Sequence, residues 1–120
     1  MSHSAVTFGD VNVVCVDLAR SLAFYRDALG LPEVERDGAA VRLAIGGATV
    51  LLLPYATRPR LAGAYPDQAT ISFDVVVGEL EATVARLEDA GGVRVAKLNE
   101  GQGWAVADPD GNVIEVIQQS

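Results

Sequence analysis

The order of the predicted secondary structure elements occurs twice in this chain of 120 residues, and this repetition constrains the fold more than any single motif does. In the first half VNVVCV, residues 11–16, is rich in β-branched residues and predicts a strand, after which Asp17 can cap a helix. The helix is marked by apolar residues at helical spacing and ends at a glycine and a proline: Leu18, Leu22, Tyr25, Leu29, Gly30 and Pro32. AVRLAI and ATVLLL, on either side of Gly46-Gly47, predict a hairpin, and LPEVER predicts a weaker additional strand.

The same order returns after the loop PYATRPRLAGAYPDQ. ATISFDVVV predicts a strand, and an amphipathic helix with Leu80, Val84 and Leu87 on one face ends at Gly91-Gly92. VRVAKL, GWAVAD and NVIEVI predict three more strands, the last two joined by the turn sequence DPDG. The sequence thus predicts one α+β domain over residues 1–120, built from tandem βαβββ units at 8–54 and 69–118 that a loop at 55–68 connects. Because each helix covers only one face of its sheet, the other faces of the two curved sheets are expected to form a ligand cleft.

Aligning the two halves explains a carboxylate that stands in the last apolar strand. GGATVLLL lies over DGNVIEVI, so that Leu51 matches Glu115. Since strand side chains alternate between faces, one face of the two strands carries Thr49, Leu51, Leu53, Val113, Glu115 and Ile117. The opposite, wholly aliphatic face suits burial under the helices and carries Val50, Leu52, Ile114 and Val116. Glu115 is therefore predicted to point into the cleft.

The first strands of the two halves align in the same way. Asp10 lies opposite Ser72, or opposite Thr70 if two residues are inserted in the second half, and either choice keeps the same face. That face carries Asp10, Asn12, Val14, Thr70, Ser72 and Asp74, and the other carries Val11, Val13, Cys15, Ile71, Phe73 and Val75. Polar side chains from four strands are thus expected to converge on one concavity, as a small-molecule site requires.

Composition excludes several classes of function. Sixteen acidic and nine basic residues give a net charge of -7, which makes nucleic acid and membrane surfaces poor partners. The N-terminus MSHSAVTFGD lacks the features of a secretory signal, and no apolar run approaches the ~18 residues of a membrane span, so a cytoplasmic protein is expected. The single cysteine, Cys15, excludes an intramolecular disulfide and is expected to be a core residue.

Three segments resemble the vicinal oxygen chelate superfamily, which contains glyoxalase I, extradiol dioxygenases, fosfomycin resistance proteins and bleomycin resistance proteins. VNVVCVDLARSLAFYRDALGLP is similar to the opening strand and helix of that fold, and ISFDVVVGELEATVARLEDAGG to the start of its second half. DPDGNVIEVIQ resembles its closing turn and strand, so the resemblance extends over residues 8–118. It implies the two-unit fold and a homodimer, but one fold hosts many chemistries and the activity must be argued from the site.

Enzymes of this superfamily commonly hold a divalent metal with histidines and glutamates, one from each of four strands. The resemblance places these positions at Asp10, at Thr70 or Ser72, at Leu51 and at Glu115. Only Glu115 fits the pattern, and Asp10 could serve as a second ligand. Two oxygen ligands without an imidazole suit iron, zinc or nickel poorly, and the sole histidine, His3, lies in the N-terminal segment. We therefore predict no metal and no cofactor.

Two classes of function remain. The first is a metal-free binding protein, similar to the bleomycin resistance proteins, that sequesters an antibiotic or metabolite of cationic or aromatic character. Its predicted ligand contacts are Asp10, Asn12, Leu51, Tyr55, Thr70, Ser72, Trp104 and Glu115. Trp104 and Tyr55 or Tyr65 are expected to stack on a planar group, whereas Arg58 and Arg60 in the connecting loop are expected to face solvent.

The second class is an enzyme, a lyase, isomerase or dioxygenase in which Glu115 is a metal ligand or a general base. An apolar cleft disfavours the charged form of a carboxylate, which moves its pKa toward the range useful for proton transfer. An interaction protein without a ligand is a third class, and convergent polar residues on inner strand faces favour it least.

Overall fold

The structure, a computed structural model, describes residues 5–61, 65–98 and 101–120, so that His3 lies outside the described residues. Within these ranges, eight strands and two helices follow in the order β1 (Val11–Val14), α1 (Leu18–Leu22), β2 (Glu33–Asp37), β3 (Ala40–Ile45), β4 (Ala48–Leu53), β5 (Phe73–Val77), α2 (Leu80–Asp89), β6 (Val93–Lys97), β7 (Gly103–Ala107) and β8 (Val113–Gln118). A π-helical segment, Ala23–Ala28, continues α1.

The strands form two mixed four-stranded sheets with the same topology. The first has the order β1-β4-β3-β2 and the second β5-β8-β7-β6. The first strand of each half pairs in parallel with the last strand of that half, and the other neighbours are antiparallel. The prediction of an α+β fold with two tandem βαβββ units is confirmed, and β2 is the weaker strand predicted from LPEVER.

The first helix is capped by Asp17 and widens after Leu22. The Asp17 carboxylate accepts hydrogen bonds from the backbone N–H groups of Ala19 and Arg20, at 2.9 and 3.4 Å, which satisfies two of the unpaired donors of the first turn. After Leu22 the backbone changes to π-helical geometry, and the N–H of Leu29 donates to the carbonyl of Phe24 at 2.9 Å. The wider turn allows the consecutive residues Phe24 and Tyr25 to be fully buried together.

The first strand of the second half is shorter than the sequence predicts. It begins at Phe73, which pairs with Ile114, and residues 69–72 precede it as irregular chain. These residues form no strand pairing with β8, which begins at Val113 after the DPDG turn. Ile71, predicted on the face under the helix, is therefore 93% exposed.

The hydrophobic core extends through both halves. One cluster of buried residues contains the aliphatic face of β4 and β8, Val50, Leu52, Ile114 and Val116, each almost inaccessible to solvent. Its helical contribution comes mainly from Leu22, Phe24, Tyr25, Leu80, Val84 and Leu87. The prediction that the aliphatic strand faces lie under the helices is confirmed. Cys15 is buried, and burial raises the pKa of its thiol.

The DPDG turn joins the two halves through buried carboxylates. Asp108 accepts a hydrogen bond from the hydroxyl of Tyr25 at 2.7 Å. Asp110 accepts from the backbone N–H of Val16 at 3.1 Å and from the Ser21 hydroxyl at 3.4 Å. The sequence predicts DPDG only as a turn. In the structure this turn also fixes the second unit against the first.

Over the ranges that the structure describes, no helix has both the length and the apolar character needed to cross a membrane.

Candidate functional site

A cleft of about 610 Å³ lies between the facing edges of the two sheets. Its walls include β1, an edge strand of the first sheet, and the irregular segment that leads into β5, an edge strand of the second sheet. Four of the polar residues predicted to converge line this cleft: Asp10, Asn12, Thr70 and Ser72. The cleft thus forms where the two halves of the repeat meet.

Apolar side chains form the rest of the wall. Phe73, Val113 and Ile114 lie on it beside Val11 and Val13, and the buried Tyr25 contributes to the lining. Phe8 is 73% exposed and Ile71 is 93% exposed. Apolar surface left in contact with water is unfavourable by about 25 cal/mol per Å², so covering these side chains with a ligand is a source of binding energy.

The strand pairing decides which polar residues correspond in the two halves. Asn12 lies opposite Leu51, and Asp74 lies opposite Glu115. Asn12 therefore corresponds to Asp74, and two residues earlier Asp10 corresponds to Ser72. The alternative, in which Asp10 corresponds to Thr70, is excluded because β5 contains no two-residue insertion relative to β1.

Asp10 is held by a partner that the sequence analysis did not name. Arg42 donates from Nε to one carboxylate oxygen of Asp10 at 2.9 Å and from Nη2 to the other at 3.0 Å, and the Thr49 hydroxyl donates as well. These hydrogen bonds, those of Arg42 first, lower the pKa of the Asp10 carboxyl from 3.8 to about 2. Arg42 also pairs with Glu35. Asp10 is thus an ion-paired carboxylate.

A signal for Arg42 was present in the sequence. AVRLAI places one charged residue in an otherwise apolar strand, as Glu115 stands in the last strand. Arg42 pairs with Leu51 across the hairpin, which puts both on the face that also carries Asn12. An isolated charged residue in an apolar strand of this fold therefore indicates a hydrogen-bonding partner on the same face of the sheet.

Glu115 lies on the inward face of the second sheet, as predicted, and it too is engaged. The Tyr65 hydroxyl donates to its Oε2 at 2.5 Å and lies 3.1 Å from the Ser72 hydroxyl. The bond to Glu115 raises the pKa of Tyr65. Tyr65 packs on a small apolar cluster formed by Ala105, Ala107 and Val113. It thus covers part of the inward face, a role different from the stacking that the sequence suggested.

Asp74 is the third acidic side chain on the inward faces. It lies directly beside Glu115 in the strand pairing. Partial loss of hydration raises its pKa, and the adjacent carboxylate of Glu115 adds to the increase.

The structure does not bring two of the predicted contact residues to the cleft. Trp104 pairs with Val116, so its ring lies on the side of the sheet that faces α2, where the indole N–H donates to Glu81 at 3.2 Å and Arg94 stacks over the ring. Tyr55 is 66% exposed and is absent from the lining of the cleft. Leu51 is on the inward face but lies outside the residues that line the cleft.

Comparison with known proteins matches residues 10–117 to the family model described as glyoxalase-like domain. The chain belongs to the glyoxalase-like domain family. Its fold is that of the vicinal oxygen chelate superfamily, as the sequence resemblance implied. A search of curated proteins finds no match.

Solved structures show the same fold at low sequence identity. Hypothetical protein SA1046 from S. aureus is 21% identical with a TM-score of 0.71, and the match covers 97% of this chain and 96% of that protein. TnmS3, an antibiotic binding protein from Streptomyces sp. CB03234, is 22% identical with a TM-score of 0.63, covering 98% and 100%. The fosfomycin resistance protein FosX from Listeria monocytogenes is 12% identical with a TM-score of 0.71, covering 95% and 91%.

The residues at the metal positions of this glyoxalase-like chain do not fit a divalent metal. Asp10 is occupied by Arg42, Ser72 offers a hydroxyl in contact with Tyr65, and Leu51 has no donor atom. Glu115 alone has the expected chemistry. Across residues 5–61, 65–98 and 101–120, no three side chains of His, Cys, Asp or Glu lie together in a way that could hold a metal ion.

Proposed function

We propose that this glyoxalase-like protein binds a small organic molecule in the cleft between its two units and holds it there without a metal. The observation that carries the proposal is the combination of exposed apolar walls with inward polar groups in a cleft of about 610 Å³. A site of this size, mostly apolar with a few placed polar groups, is typical of small-molecule pockets. Asn12 and Thr70 supply hydrogen-bonding groups, and Phe8 and Phe73 supply aromatic surface.

The contacts of the acidic residues change the expected ligand. Asp10 is paired with Arg42, and Glu115 accepts from Tyr65, so neither offers a free carboxylate to a cation. The proposed ligand is therefore aromatic or apolar, as predicted, but does not carry the positive charge that the sequence suggested. Sequestration of an antibiotic remains the favoured role, since the fold is shared with an antibiotic binding protein and with a fosfomycin resistance protein.

A binding screen with a matched pair of variants tests this proposal. Planar aromatic and glycopeptide antibiotics are titrated by calorimetry, because Trp104 lies on the far side of the sheet and its fluorescence is a poor reporter of the cleft. Ile71→Asp should weaken binding of a hit about tenfold, the value expected from the burial of one aliphatic side chain. Leu61→Asp is the control, since Leu61 is also aliphatic and 87% exposed but does not line the cleft. Equal affinities for the two variants would place the ligand elsewhere.

Recovery of the ligand separates binding from catalysis. Under the proposal the molecule is recovered unchanged after prolonged incubation with excess protein, as judged by mass spectrometry. The alternative, a lyase, isomerase or dioxygenase, has one observation in its favour: the hydroxyl of Tyr65 and the carboxylate of Glu115 form a 2.5 Å hydrogen bond next to Ser72 on the wall of the cleft. Turnover that both Tyr65→Phe and Glu115→Gln abolish would establish that alternative.

The homodimer implied by the family resemblance also stays a proposal. Several valines are exposed on the described surface, among them Val6, Val34, Val76 and Val93. A molecular mass of 12.6 kDa in sedimentation equilibrium, independent of concentration, would contradict it.

A further inference from the structure

Arg60 is held at the cleft by the DPDG turn. Its backbone N–H donates to the carbonyl oxygen of Asp110 at 2.7 Å. Asp110 is itself buried and accepts from the backbone of Val16. The connecting loop is thus fixed at this residue, and Arg60 is among the residues that line the cleft. Arg60 is exposed, as predicted for the arginines of this loop, and is therefore accessible to a ligand.

The charges of the cleft are unequally satisfied. Among the described residues, its lining contains three ionisable ones, Asp10, Tyr25 and Arg60. The carboxylate of Asp10 has two hydrogen bonds from Arg42 and one from Thr49, and the hydroxyl of Tyr25 is bound to a buried aspartate. The guanidinium group of Arg60 makes no hydrogen bond or ion pair with any residue in 5–61, 65–98 or 101–120. The unpaired charge on the wall is therefore positive.

We infer that the ligand carries an anionic group, such as a carboxylate, that binds Arg60 while its apolar body covers Ile71 and Phe8. This inference rests on the proposed binding function and names the chemical class of the ligand. A guanidinium presents parallel N–H donors that match a carboxylate in two hydrogen bonds, which gives direction as well as attraction. The apolar walls beside it exclude water from the rest of the molecule.

Among the described residues of the lining, Asp10 is the one acidic residue, and its charge is paired with Arg42. Glu115 is not part of the cleft lining, and the Tyr65 hydroxyl donates to it. The net charge of -7 acts over longer distances and is screened beyond about 8 Å at physiological ionic strength. A short contact between the ligand and Arg60 is screened much less.

Three naphthalene probes of nearly equal size test the inference. Naphthalene carboxylate, its carboxamide and naphthalenemethylammonium share the apolar body and differ in charge. Their dissociation constants are measured by calorimetry with the wild-type protein, Arg60→Gln and Arg58→Gln. We expect the carboxylate to bind the wild-type protein about fivefold more tightly than the carboxamide, which is the upper value for one partly exposed ion pair. The ammonium probe should bind least tightly. Arg60→Gln should remove the preference, and Arg58→Gln, two residues away and outside the lining, should keep it.

Each outcome decides between the inference and the function on which it rests. Three outcomes would overturn the inference: equal binding of the three probes, tightest binding of the ammonium probe, or a carboxylate preference that survives in Arg60→Gln. In each case the binding function would stand if Ile71→Asp still weakens binding of the probes. No binding of any probe at millimolar concentration would overturn both. Arg60→Gln keeps the backbone donor to Asp110, so its thermal unfolding should match that of the wild-type protein.

Discussion

Replacing Tyr25 with phenylalanine tests how the DPDG turn fixes one unit to the other. The ring of Tyr25 is fully buried, packs edge-on against Phe24 at a centroid distance of 4.7 Å, and would keep this contact as phenylalanine. Only the hydroxyl is lost, and with it the 2.7 Å hydrogen bond to Oδ2 of Asp108. Hydrogen bonds to charged groups contribute about 1.5–3 kcal/mol. Asp108 keeps three donors, the backbone N–H groups of Asp110 and Asn112 and the amide of Asn112, so we expect a loss of about 1.5–2 kcal/mol in the free energy of unfolding.

Urea denaturation followed by circular dichroism measures this loss. The midpoint should decrease while the m-value stays constant, since the same surface is exposed on unfolding. Tyr55→Phe is the control, because its side chain is mostly exposed and its hydroxyl has no hydrogen bond among the described residues. Its effect should stay within about 0.5 kcal/mol. A Tyr25→Phe variant as stable as the control would refute the role of the hydroxyl. In a double-mutant cycle with Asp108→Asn, the combined loss should be smaller than the sum, because both changes remove the same bond.

Three further predictions concern packing, pH and metals. Gly92→Ala should lower the free energy of unfolding by about 1–3 kcal/mol, because the added methyl group would lie 2.7 Å from a buried aromatic carbon. Gly47→Ala, with no atom within 4 Å, should change it little, and equal urea midpoints for the two would contradict the packing argument. Arg42→Gln should raise the Asp10 pKa from about 2 toward 3.8, as followed by NMR. A carboxyl group whose pKa is lower in the folded than in the unfolded protein stabilises the fold at pH values above its unfolded pKa. This stabilisation is lost as the pH falls through the folded pKa. The variant should therefore lose stability less steeply than the wild-type protein between pH 3.8 and about 2. Titration with nickel, zinc, manganese or iron(II) should show no saturable heat, and stoichiometric binding would contradict the donor analysis.

Strand alternation predicted the faces of β4 and β8 correctly because parity depends only on position within a strand. To predict the face on which Trp104 lies, the pairing register of β7 and β8 across the DPDG turn must also be known. The N–H of Asp108 donates to the carbonyl of Asn112 at 2.7 Å, and this closure pairs Ala107 with Val113 and hence Trp104 with Val116. The face of the indole thus depends on how the turn closes, which composition alone does not specify.

The long-range contacts could not be predicted in this way. Tyr65 and Arg60 belong to the loop that connects the units, and their positions depend on tertiary packing against β8 and the DPDG turn. A repeat alignment also has no counterpart for them, since the loop occurs once. The polar strand residues were predictable because the repeat supplies two copies of the same geometry.

Each of the two carboxylates at metal positions has a partner, Asp10 from its own unit and Glu115 from the connecting loop. A half-buried carboxylate that lacks a metal still needs donors, because leaving it unpaired costs several kcal/mol. In the first sheet Arg42 supplies a full positive charge to Asp10, and Tyr65 supplies a hydroxyl to Glu115 in the second. Both acids are satisfied before any ligand arrives, so recognition falls to the groups that remain unsatisfied. Among the lining residues, the side chains of Asn12 and Arg60 make no hydrogen bond to any residue that the structure describes. The amide of Asn12 offers both a donor and an acceptor, whereas the guanidinium of Arg60 offers donors and a positive charge. An anionic group on the ligand would satisfy this charge, which is the property that the naphthalene probes measure.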